Sequence, residues 1–322
     1  MRKHADVSEI RALSALLAGA LAIGSAGIFV RVSETGPTAT AFWRGFLALP
    51  LLAVWALWER RGRNGRPEPA SLRDPLLFWG GVFFAGDLAL WHASLLLTSI
   101  AASTLEANCA PLLVTLLAWM LWGERPKPAF LFALLLAFGG MLLIIAPKLG
   151  GGSHALLGDA LGLGTAVFYA AYILAIARVR ERHGTGVVMF ATTVIFTLLL
   201  LPLALTQRFF PVTAHGWMLL FGIALSAQVL GQSLIAYALA HLPPTFGAVG
   251  LYVQVVAAAV YAWVLLGERL GPVQIAGGVV VLVAIALARR ARRADLLREP
   301  PERPQAQRAS IQSSASRQSE SL

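Results

Sequence analysis

Apolar stretches about as long as a bilayer is thick recur along this chain, with only short clusters of polar residues between them. That spacing constrains the fold more than any motif, because a helix rising about 1.5 Å per residue crosses the hydrocarbon core in about 20 residues. The pattern predicts ten helices, near 12–31, 38–58, 75–97, 103–122, 128–147, 156–177, 186–206, 215–238, 246–266 and 271–288. A large soluble core also buries apolar helices, but not so many in succession with loops of a few residues. Composition points the same way: 57% of the 322 residues are hydrophobic and only 13% are Asp, Glu, Lys or Arg, roughly half the charged fraction of a soluble domain. The expected fold class is an all-α integral membrane protein. Its first apolar run follows Arg2, Lys3 and Arg11 like a secretory signal, yet nine further spans favour a retained helix.

Charge sets the expected orientation. If the amino terminus is cytoplasmic, the segments on that side hold 21 Lys and Arg residues, among them Arg60, Arg61, Arg63, Arg66, Arg73, Arg178, Arg180 and Arg182, against four on the other. Those four are Arg31, Lys148, Arg208 and Arg269, and Arg44 lies within the second span. The asymmetry predicts both termini in the cytoplasm. A formal charge of +10 is then accounted for by topology and anionic lipid, without nucleic acid as a partner. The tail from about 289 opens with RRARR and turns serine-rich, which suits partial contact with the membrane surface and disorder across 296–322.

An internal repeat organises the chain. LLAWMLWGERPKPAFLFALLLAFGG lies on VYAWVLLGERLGPVQIAGGVVVLVA at an offset of 144 residues, so that Gly123, Glu124 and Arg125 fall on Gly267, Glu268 and Arg269. The same offset places ALWHASLLLTSIAAST on SLIAYALAHLPPTFGA without a gap. Two five-helix halves are expected, 1–150 and 151–295. Five is odd, so equivalent helices cross in opposite senses and the repeat is inverted, an arrangement suited to alternating access around a central site.

With GER turns after its fourth and ninth helices, the span from about 12 to 288 resembles the drug/metabolite transporter superfamily, within its ten-helix EamA group. FFAGDLALWHASLLLTSIAASTLEANCAPLLVTLLAW and LSAQVLGQSLIAYALAHLPP are more particularly similar to bacterial amino-acid and metabolite exporters. The resemblance implies a basket of helices around a central cavity and export of small metabolites across the bacterial inner membrane, with aromatic amino acids and threonine among the substrates. Glu106 stands where small or apolar residues are more usual.

Polar side chains at membrane depth are the candidate site, since each must face protein or a wet cavity. Asp87, Trp91 and His92 share a broad sector of the third helix, and Trp91 and His92 either line the cavity or pack between helices. Asp87 and Arg44 form a candidate charge pair. Thr104, Asn108 and Pro111 lie near one stripe of the fourth helix, where proline interrupts the hydrogen-bond ladder and suits either an ammonium site or a bend. Glu106 is a candidate second acceptor or proton carrier. Gln228 and Gln232, with Ser233, form a ladder on the eighth helix for a zwitterion or for an interhelical bond. Tyr252, Gln254, Tyr169 and Tyr172 offer an apolar body with a hydroxyl or amide tip, or simple packing. Gly158 and Gly162 allow a neighbouring helix to come close.

HExxH, P-loop and serine-elbow motifs are absent, and one cysteine with six histidines shows no ligand spacing, so no enzyme activity, cofactor or metal is expected. An intramembrane enzyme using Asp87, His92 and Glu106 stays open as a minor alternative. The expected partners are a small-molecule substrate and membrane lipid; the oligomeric state stays open, a monomer being compatible with the pattern. The leading functional expectation is a secondary exporter of amino acids, including aromatic ones and threonine, that hydrolyses no ATP. The alternatives are export of hydrophobic drugs or other metabolites, and a nontransporting scaffold or receptor.

Overall fold

The computed structural model describes residues 2–62, 74–95, 97, 103, 106–123, 125–146, 155–267 and 270–298. Thr104, Glu124, Lys148, Glu268, Arg269 and the chain from 299 onward lie outside the described residues, as do Arg63, Arg66 and Arg73. The described residues are helical apart from short turns. Nine of their helices are long and apolar enough to cross a membrane: α1 Glu9–Val32, α2 Pro37–Arg61, α3 Pro75–Ser94, α5 Pro128–Ile145, α6 Leu156–Arg180, α7 Thr185–Ala204, α8 Ala214–Leu239, α9 Pro244–Leu266 and α10 Pro272–Ala291. A shorter apolar helix, α4 Ala110–Trp122, falls between α3 and α5. The helix that contains α10 runs on to Arg298, so the RRARR segment continues the last span as helix.

Turn chemistry repeats at the 144-residue offset. Gly123 ends α4 at φ 70° and Gly267 ends α9 at φ 68°, the left-handed conformation that a Cβ disfavours and that closes helix C-termini. The helices that follow begin at Pro128 and Pro272, where proline's fixed φ suits a first turn and its missing N–H costs nothing.

Packing follows the same order. α5 and α10 cross at Gly140 and Gly277, so closely that a Cβ on Gly277 would stand 2.6 Å from the Gly140 carbonyl oxygen. Small residues of this kind let backbones approach within a bilayer, where no hydrophobic effect drives helices together. The other principal neighbours are α2 with α7, α3 with α6, α3 with α7, α1 with α8, α1 with α9, α2 with α8, α4 with α6 and α4 with α9. Exchanging each helix for the one five places away leaves this set of neighbours unchanged. Large apolar side chains such as Trp58, Met120, Phe132, Leu156 and Val264 stay exposed on the outer surface, as expected where the surrounding solvent is hydrocarbon.

Helix breaks are the main departure from the expected regularity. The fourth helix is interrupted at Asn108–Cys109 ahead of Pro111, and α9 is interrupted at Leu251–Tyr252. Asn108 and Tyr252 are themselves 144 residues apart. In α8, Ala224–Gln232 is wound as a π-helix, a wider winding that is rare and tends to mark functional positions.

Acidic residues tie the loops to helix N-termini, where unpaired backbone N–H groups attract negative charge. Glu34 accepts from the backbone N–H groups of Val212 at 2.7 Å and Thr213 at 3.0 Å, and from the Thr213 hydroxyl. Glu59 accepts from Gly186 N at 2.8 Å at the start of α7. Asp74 accepts from Leu76 N and pairs with His183 Nε2 at 3.0 Å.

Candidate functional site

Arg44 organises the polar interior. It lies on α2 with only 6% of its surface exposed, and its Nε donates to Gln228 Oε1 at 3.0 Å. Gln228 in turn donates through Nε2 to Thr193 Oγ1 at 2.9 Å, so one chain of bonds joins α2, α8 and α7. Because one amide accepts with its oxygen and donates with its nitrogen, both of its ends are satisfied. The guanidinium stands over the Phe84 ring of α3, 5.5 Å from its centroid, a cation–π geometry.

Aromatic rings continue the site from there. Phe84 stacks on Tyr172 of α6 at 4.6 Å and meets Phe196 of α7 edge-on at 5.1 Å. Tyr172 stacks on Tyr169 at 5.9 Å and donates from its hydroxyl to Gln232 Oε1 at 3.4 Å. Asp87, 9% exposed on α3, lies within electrostatic reach of Arg44 and Tyr169. Among the described residues no direct ion pair joins it to Arg44. The expected glutamine ladder is therefore divided between partners: Gln228 serves α2 and α7, whereas Gln232 serves α6.

A second group forms where α4 and α9 meet. Gln254 donates to Asn108 Oδ1 at 3.4 Å. Tyr252 is fully buried with its hydroxyl unpartnered. Glu106 lies within electrostatic reach of Asp159 of α6, and its side chain fills the space over Gly162, where an added Cβ would collide with it. Gly162 thus admits a carboxyl side chain, which the spacing of Gly158 and Gly162 alone does not distinguish from admitting a helix. Trp91 packs on His92 with ring centroids 5.1 Å apart. His92 is 2% exposed, with Nδ1 buried and unpartnered, and it feels the Arg44 charge.

Of the residues singled out from the sequence, Arg44, Asp87, Gln228 and Gln232 converge on the first group, with His92 and Trp91 beside it. Glu106, Asn108 and Tyr252 belong to the second. Gln232 pairs with Tyr172, and Asn108 with Gln254. Sequence reasoning missed Phe84 and Thr193. Thr192 bonds its own helix at Val188 O whereas Thr193 reaches Gln228, and adjacent threonines carry no signal that separates these uses.

Apolar helices long enough to span a bilayer, with a charged and aromatic cluster enclosed by α2, α3, α6, α7 and α8, define a multi-pass membrane protein with a polar interior. The model of the EamA-like transporter family matches this chain twice, over residues 10–146 and 156–290. The chain belongs to that family, and its two matched segments are the two repeats. It is 32% identical over 216 residues to the pseudopaline exporter CntI of Pseudomonas aeruginosa, covering 67% of this chain and 75% of that protein. It is 28% identical over 253 residues to the threonine/homoserine exporter RhtA of Escherichia coli, covering 77% and 79%. A solved crystal structure shares the fold with a TM-score of 0.70 at 19% identity, covering 88% of this chain and 97% of that one. CntI and RhtA are exporters, and the family to which this chain belongs is one of transporters.

Proposed function

We propose that this protein is a secondary exporter of small zwitterionic metabolites, with amino acids, aromatic ones and threonine included, as the leading substrates. Ten spans form two inverted five-helix repeats with both termini in the cytoplasm, and the solute passes by alternating access without ATP hydrolysis. The observation that carries this reading is the cluster itself: Arg44, Asp87, Tyr172, Gln228 and Gln232 come from both halves of the chain and bring opposite charges, amides and stacked rings together. Charged and amide groups at membrane depth are costly unless paired, and where they persist they mark solute pathways. Support for two equivalent halves comes from the neighbour set that survives their exchange and from the paired breaks at Asn108 and Tyr252, since interrupted helices at equivalent positions are a mark of transporter binding sites; the odd number of helices in each half then makes the repeat inverted.

Uptake of labelled phenylalanine, threonine and a lipophilic cation into ATP-free proteoliposomes tests it, with pseudopaline and homoserine as competitors. The reading predicts saturable amino-acid flux that falls at least about tenfold in Trp91→Ala, Asn108→Ala and Gln232→Ala, as loss of one to two polar or stacking contacts would cause. Cation flux that no amino acid competes with would replace it with a drug exporter.

A further inference from the structure

The Arg44 guanidinium is tethered along one edge only. Its Nε is held by Gln228, which is held by Thr193, so α7 and α8 set the plane of the group. Its Nη2 is buried and has no hydrogen-bond partner. A guanidinium fixed through Nε presents its terminal N–H groups as a planar fork, and the group whose shape and charge match that fork is a carboxylate. Asp87 supplies opposite charge nearby without direct contact, and the stacked rings of Phe84, Tyr172 and Tyr169 form an apolar wall beside it.

We propose that Arg44 is the carboxylate anchor of the substrate site and Asp87 its ammonium partner, so that the site selects solutes carrying both groups over amines, carboxamides and lipophilic cations. This rests on the export reading above and adds a basis for its selectivity. A zwitterion lying between Arg44 and Asp87 gives each buried charge a direct partner. An amine satisfies Asp87 and leaves the Arg44 fork unpaired, and unpaired charge in a low-dielectric interior is what such a site disfavours most.

The test compares L-phenylalanine with L-phenylalaninamide, which keeps the ring and the ammonium and lacks only the carboxylate. Equilibrium binding to the purified full chain should favour the acid by about tenfold to a hundredfold, the worth of a charge-assisted hydrogen-bonded pair. Arg44→Lys keeps the charge but loses the fork, and should cut the acid-to-amide ratio at least about fivefold. Arg44→Gln should bring the ratio close to one, whatever its effect on amide affinity, since a variant damaged only in structure would weaken both ligands together and leave the ratio in place. A ratio near one in the unaltered protein, or a ratio that survives Arg44→Lys, overturns the anchor. The outcomes separate the two readings: equal flux of acid and amide overturns the anchor alone, whereas neither binding nor flux of any amino acid overturns the export reading with it.

Discussion

Replacing Gln228 with leucine removes both bonds of the amide while nearly keeping its volume. Gln228 is 1% exposed, so water does not readily take over its role. Arg44 Nε loses an acceptor at 3.0 Å and Thr193 loses a donor at 2.9 Å. A hydrogen bond to a charged group is worth about 1.5–3 kcal/mol and a neutral one about 0.5–1.5 kcal/mol. Gln228→Leu should therefore destabilise the fold by about 2–4 kcal/mol, measured by reversible unfolding in mixed micelles. Thr193→Val should cost about 1 kcal/mol alone and less in the Gln228→Leu background, because the shared bond is lost only once. A loss under about 0.5 kcal/mol, with the two substitutions strictly additive, would refute the claim that this amide holds α2, α7 and α8 together.

Other consequences are equally direct. Gly277→Ala pushes a Cβ to 2.6 Å from Gly140 O and should cost about 1–3 kcal/mol of stability through forced separation of α5 and α10; an unchanged unfolding midpoint would contradict the crossing. Gly123→Ala and Gly267→Ala meet no neighbour within 4 Å, so each should lose a similar 1–2 kcal/mol, roughly, from backbone strain alone, and a large difference between them would argue against equivalent turns. Thr213 and its backbone N–H, with that of Val212, hold the Glu34 carboxyl below its ordinary 4.5. Burial pushes Asp74 up, but the Leu76 N–H and His183 outweigh it and leave it below 3.8. A depressed folded value gives stability that is full above the ordinary value and lost as pH falls through the folded one. Melting curves should thus show no decline from these groups between pH 7 and pH 5, roughly, and an acid limb below about pH 4 that Glu34→Gln and Asp74→Asn blunt; a decline above pH 5 abolished by these variants would reverse the assignment. Cysteines at Ser71 and Ser319 should label from one face and a cysteine at Ser153 from the other, and opposite labelling of Ser71 and Ser319 would break the ten-span topology.

Most spans were legible because membrane helices advertise themselves by length and hydropathy. The observed α2, Pro37–Arg61, and α9, Pro244–Leu266, have bounds within a few residues of the expected 38–58 and 246–266, although hydropathy does not mark the break in α9 at Leu251–Tyr252. The repeat was legible because Gly123 and Gly267 do the same left-handed capping job. Site membership was partly legible, since Arg44, Asp87, Gln228 and Gln232 are conspicuous in an apolar background. Their partners were not. Gln228 bonds Arg44 and Thr193 whereas Gln232 bonds Tyr172, a division set by which helices flank α8, and no residue in ALSAQVLGQ marks its π-helical winding. Phe84 was hidden for the opposite reason, being one aromatic among many on a lipid-adapted helix.

Counterflow tests the central claim most directly. Proteoliposomes loaded with unlabelled phenylalanine and lacking ATP are given traces of labelled phenylalanine outside. Alternating access between two repeats around one site predicts a transient overshoot of labelled solute inside, because loaded carriers reorient and exchange it. Labelled phenylalanine that merely equilibrates without overshoot, or that enters only when ATP is hydrolysed, would contradict the account.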